Sequence, residues 1–140
     1  MNKAEILRQI NNCRASIRAA QNEVAQLEEK QVALQGLLAT LDSHTDDFVA
    51  RVGQMRYKGD SIDGMAQKVK AAKGYGSSIS EALRGGKYTK ATSRIEQFRA
   101  DIVVALNRVA SQMESRQSQL WSLRNRLSSL ERSYNTCLEW

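Results

Sequence analysis

Residues 3–57 read KAEILRQINNCRASIRAAQNEVAQLEEKQVALQGLLATLDSHTDDFVARVGQMRY. Alternating steps of four and three from Ile6 visit Ile10, Cys13, Ile17, Ala20, Val24, Leu27, Gln31, Leu34, Leu38, Leu41, Thr45, Phe48, Val52 and Met55. Thirteen of these fifteen positions are apolar, where a chain with 41% apolar residues would place about six by chance. Glu, Lys, Arg and Gln fill most of the intervening positions, so the stripe is a narrow coiled-coil seam. At about 1.5 Å per residue such a helix would run roughly 80 Å, too long to bury its own seam in a compact ball. It requires a second helix alongside.

The last third of the chain supplies that helix. Ile95, Phe98 and Ile102 lead into Leu106, Val109, Met113, Arg116, Leu120, Leu123, Leu127, Leu130, Tyr134 and Cys137, with strict three-four alternation from Leu106 onward. The steps from Phe98 to Ile102 to Leu106 are four and four, which reads as a one-residue stutter. In an antiparallel pair, facing positions have a constant sum of residue numbers. A sum of 147 sets Leu41 against Leu106, Leu38 against Val109 and Leu27 against Leu120, and a shift of one heptad satisfies the pattern equally.

Six of the eight glycines fall within residues 58–90, between the two periodic arms. The expected architecture is therefore all-α: an elongated antiparallel, coiled-coil-like helical hairpin forming one domain. Its parts are a long helix over 3–57, a cap of short helices and glycine-rich turns over 58–90, and a long helix over 92–138. Within the cap, residues 61–73 read as a short amphipathic helix, 74–78 as a breaker, and Ser78 to Glu81 as a capping box. Thr92 or Ser93 is placed to cap the final helix.

The whole chain of 140 residues contains no proline, two cysteines and 6% aromatics, consistent with long uninterrupted helices. No apolar run approaches the length of a membrane span, and the first residues lack a signal-peptide stretch, so a cytoplasmic chain is expected. The net charge of +6 is uneven: −2 over residues 1–50, +7 over 51–99 and +1 over 100–140. Arg56, Lys58, Lys68, Lys70, Lys73, Lys87 and Lys90 would form a basic tip on the hairpin. With Tyr57, Tyr75 and Tyr88 interleaved, such a tip has the chemistry to neutralise phosphates and stack bases. No recognised nucleic-acid motif accompanies it, which leaves nucleic acid or an anionic surface as the secondary reading.

Catalytic chemistry is not indicated. There is no Ser/His/Asp arrangement, phosphate-binding glycine loop or Cys-x-x-Cys, and no cofactor or metal is expected. His44, flanked by Asp42 and Asp46, reads as part of a solvated helical face. Cys13 and Cys137 both fall on the seam. They read as reduced apolar fillers, with a disulfide across the open end as the alternative. Trp121 lies off the seam, as do Leu7, Val32, Leu37 and Val49. Large apolar residues outside a two-helix seam point to a partner, so Trp121, Val32, Leu37 and Val49 are the candidate partner-binding residues.

Residues 51–69, RVGQMRYKGDSIDGMAQKV, resemble a family pattern. A long helix running into an aromatic-x-Gly turn, here Tyr57-Lys58-Gly59, is similar to the Trp-x-Gly small helical proteins of type VII secretion. The layout is closer to the small α-helical proteins encoded beside LXG-domain toxins. The resemblance implies a targeting factor or chaperone that binds the helical N-terminal domain of an LXG toxin or another small helical protein, and leaves by a signal-peptide-independent route. Tyr replaces Trp in the motif. The aromatic-to-acid export signature is missed by one residue at Phe98–Asp101 and again at Tyr134–Glu139, which would assign the export signal to a partner chain. Self-association through the same seam is the third reading.

Overall fold

The computed structural model describes residues 2–66 and 82–137, with the side chains of 62–66 left aside. Two long helices, α1 (Lys3–Ala66) and α2 (Gly86–Thr136), pack as an antiparallel hairpin, with one short helical turn at 82–84 before α2. The chain divides into two compact units, residues 1–34 with 105–140, and residues 35–104.

In the first unit, α1 opens on an Asn2 cap whose side-chain oxygen accepts from the Glu5 amide at 2.8 Å. Ile6, Ile10, Cys13, Ile17, Ala20 and Leu27 are buried along α1, facing buried Val109 and Leu120 on α2. Cys13, Ile17, Ala20 and Leu120 form the centre of this core, flanked by Val24, Leu123, Leu127 and Leu130. Every one of these residues lies on the heptad stripe. In the second unit, Val52 and Ile102 are buried on the same two stripes, and Phe48 stacks on Tyr88 with ring centres 5.9 Å apart.

The register is one heptad away from the pairing that sums to 147. In the first unit Glu23 pairs with Arg116, and the Cys13 thiol donates to the Leu123 carbonyl at 3.2 Å. Lys3 lies over the Tyr134 ring at 4.9 Å. In the second unit Asp42 pairs with Arg99 and Arg56 reaches the Leu83 carbonyl. Facing numbers thus sum to about 140, setting Ile17 opposite Leu123 and Ala20 opposite Leu120. Apolar layers form about equally well in either register; the charges do not. Under the 147 sum Arg116 would lie opposite Gln31 and Arg99 opposite Phe48, away from Glu23 and Asp42. Charged groups at and beside seam positions select a register in this way.

This register also removes the disulfide alternative. Cys13 falls in the layer of Leu127, some ten residues of helix from Cys137, or about 15 Å along the axis. Both cysteines are free thiols, Cys13 buried and Cys137 half-buried.

Three features differ from the sequence expectation. The helix expected over 3–57 continues to Ala66, so Tyr57-Lys58-Gly59 is not a turn but part of α1. Gly59 continues the heptad after Val52 and Met55 and is buried. Helical glycine costs only about 1 kcal/mol relative to alanine, and contacts with the returning chain outweigh it here. Arg84 holds Asp60 through two hydrogen bonds of 2.9 and 3.2 Å, and Arg56 donates to the Leu83 carbonyl at 2.7 Å. Likewise α2 starts at Gly86, so Thr92 is not a cap: its hydroxyl bonds back to the Tyr88 and Thr89 carbonyls. The stutter is absent as well. Phe98 is exposed, and the strict alternation runs through Tyr88, Thr92, Ile95, Arg99 and Ile102. The breaker at 74–78, the capping box and most of the short helix expected over 61–73 lie outside the described residues.

Gly36 and Gly53 are exposed within α1, and a Cβ built on either meets nothing within 4 Å. Gly36→Ala and Gly53→Ala are each expected to raise stability by about 0.5–1 kcal/mol, read by urea denaturation. In a double-mutant cycle on Glu23 and Arg116, both partly exposed, the coupling should be no more than about 1 kcal/mol and should shrink with added salt.

Candidate functional site

The candidate partner-binding residues stand on the outside of the packed helices. Val32 is 68% exposed, Trp121 69%, Val49 47% and Leu37 43%. Each occupies a heptad position other than the two that face the opposite helix, which is why hairpin formation leaves it in water. Beside Val32 an open hollow is lined by Ala25, Glu28, Glu29 and Ala33, mostly apolar methyl and methylene surface bordered by two carboxylates. Sequence reasoning did not single out Phe98, Met55 or Val104, which are also exposed. Phe98 and Met55 have seam spacing in the sequence, and only packing reveals that they are not enclosed.

The arrangement is incomplete as a core. Among the described residues, no large side chain reaches full enclosure, since each layer is closed by only two helices. The seam polar groups are satisfied locally instead. The Thr45 hydroxyl donates to the Leu41 carbonyl at 2.7 Å, and Arg116 and Arg99 turn outward to acids on α1.

The basic tip separates into residues with different duties. Arg56 is spent inside the fold, donating to the Leu83 carbonyl and lying over the Tyr88 ring at 4.3 Å. Tyr88 is half-buried against Phe48, so it does not offer a free stacking face. Lys58, Lys87, Lys90 and Tyr57 are exposed, Tyr57 at 74%. Lys68, Lys70, Lys73 and Tyr75 lie outside the described residues.

The guanidinium groups of Arg84 and Arg99 titrate even higher than usual, first through hydrogen bonds to Asp60 and Asp42 and second through charge attraction. A raised cationic pKa contributes stability below the ordinary arginine value and loses it only above that value. These two arginines therefore stay charged at every ordinary pH, and the pairs respond to salt rather than to alkali.

Asp42, a neighbour of His44, is engaged by Arg99 at 2.9 and 3.4 Å. Among the described residues no three His, Cys, Asp or Glu side chains gather as metal ligands would. No helix among them is long and apolar enough to cross a membrane. No known protein family, curated protein or solved structure matches this chain. What fold and surface define is a two-helix antiparallel hairpin with an under-enclosed seam and exposed apolar residues.

Thiol accessibility separates the two cysteines. Ellman's reagent should modify half-buried Cys137 first and 5%-exposed Cys13 only on unfolding, giving two kinetic phases in native buffer plus denaturant.

Proposed function

We propose that this protein works without catalysis, by binding another helical chain along the outside of its hairpin. The observation that carries the reading is the exposure of Val32, Leu37, Val49 and Trp121 at positions outside the two-helix seam. Apolar residues at such positions keep about half or more of their surface in water in the single chain, and covering each against a partner would be worth roughly 1.5–3 kcal/mol. Aromatic anchors such as Trp121 are the residue type on which helix–helix binding energy concentrates. Ala25 and Ala33 beside Val32 extend its apolar surface along the same face of α1.

The partner implied by the type VII resemblance is the helical N-terminal domain of an LXG toxin, with this chain as its targeting factor or chaperone. Helical layout supports that reading. Its local motif does not, because Tyr57-Lys58-Gly59 lies inside α1 rather than at a turn.

Co-expression with the helical domain encoded beside this protein tests the proposal. A stable co-purifying complex is expected, and Val32→Gln with Trp121→Gln should cut recovery at least about fivefold. Both sites are exposed, so those changes should leave stability within about 0.5 kcal/mol. Absence of any helical partner among neighbouring gene products would remove the reading.

A further inference from the structure

The second unit, residues 35–104, carries its charges asymmetrically. With Cys13 assigned as heptad position d, Leu37, Arg51 and Lys58 occupy g positions on α1. On α2, Phe98 occupies g, while Lys87 and Arg94 occupy the neighbouring c. In an antiparallel pair the g positions of both helices border the same side of the seam. All six residues are exposed, Leu37 at 43% and Phe98 at 47%. The opposite flank holds Asp42, Asp46, Asp60 and Glu96 at e and b positions.

These flanks differ in what their charges already do. Asp42 is held by Arg99 and Asp60 by Arg84, so two of that side's four acids are paired within the fold. Among the described residues Arg51, Lys58, Lys87 and Arg94 make no ion pair. Among the described residues of this unit, the acids on the same side are Asp47 and Asp101, both at c, and Asp101 accepts a hydrogen bond from Gln97 at 2.9 Å. The fold thus engages two of the four acids of one side and leaves these four cations of the other without an ion pair.

Resting on the helix-binding reading, we propose that this g-side flank is itself a docking site for an acidic amphipathic helix, shared with the apolar set above only through Leu37, since Val32, Val49 and Trp121 hold b and e positions. Spacing argues for a helix. Arg51 to Lys58 and Lys87 to Arg94 are each one heptad, about 10 Å along a helix axis, which matches acids repeating every seven residues on a third helix. Leu37 and Phe98 at one end of the flank would bury the apolar stripe of that helix. A nucleic-acid strand has phosphates spaced much more closely than these cations, and its bases would stack on Phe98 rather than enclose Leu37 in a continuous apolar stripe. A third helix laid here would close the layers that two helices leave open.

The probe is a fluorescent four-heptad peptide with Leu at a and d and Glu at e and g, followed by anisotropy against the full chain. Binding is expected, weakening with salt and falling about tenfold or more in Arg51→Glu/Arg94→Glu. Phe98→Ala should weaken it too. The control Arg124→Glu/Arg126→Glu, with the same charge change on exposed residues of the other unit, should bind like wild type. Circular dichroism verifies that each variant remains helical. Equal loss in the control, equal binding of a Lys-for-Glu peptide, or no binding by wild type overturns the proposal. So does tighter binding of a single-stranded oligonucleotide through the same arginines. Loss confined to Val32→Gln/Trp121→Gln sinks the flank while leaving the helix-binding reading in place.

Discussion

Everything in this protein depends on burying one narrow apolar stripe of a 64-residue helix. Such a helix gains little from its own hydrogen bonds, and most helical stability comes from packing an amphipathic face. Here α2 supplies the packing, and Ile6, Ile10, Cys13, Ile17, Ala20 and Leu27 are the residues it protects from water on one side of the first unit. Two helices enclose such a stripe only partly. Exposed apolar side chains follow from that geometry.

A repeating seam brings its own ambiguity, since sliding by seven residues restores the apolar pattern. Charge resolves it. Arg116 and Arg99 interrupt the apolar seam of α2, and Glu23 and Asp42 stand beside the seam of α1 where only one register brings them together. Individually these exposed pairs are weak. Their effect lies in discriminating between arrangements that are otherwise nearly equal, as polar positions do in other coiled coils.

The turn region illustrates how tertiary contact overrides local signals. Gly53, Gly59 and Gly64 within a dozen residues look like punctuation, and Tyr57-Lys58-Gly59 looks like a family turn. Yet Val52 and Gly59 keep the heptad spacing and are buried, while Arg56 and Asp60 reach across to Leu83 and Arg84. With no proline to remove an amide or force a kink, nothing in the covalent chain compels the helix to stop. The same contacts withdraw Arg56 and Tyr88 from the basic surface that composition suggested, which shifts attention to Arg51, Lys58, Lys87 and Arg94.

The heptad alone decided that this chain makes two long antiparallel helices, which residues line most of their seam, and that Val32, Leu37, Val49 and Trp121 stay outside it. Those are consequences of a 3.5-residue period, and a period is written in sequence. Register, helix ends, the burial of Gly59 and the exposure of Phe98 were decided only in three dimensions. Each depends on which residue of one helix meets which residue of the other, and a pattern that repeats every seven residues cannot distinguish one such meeting from the next.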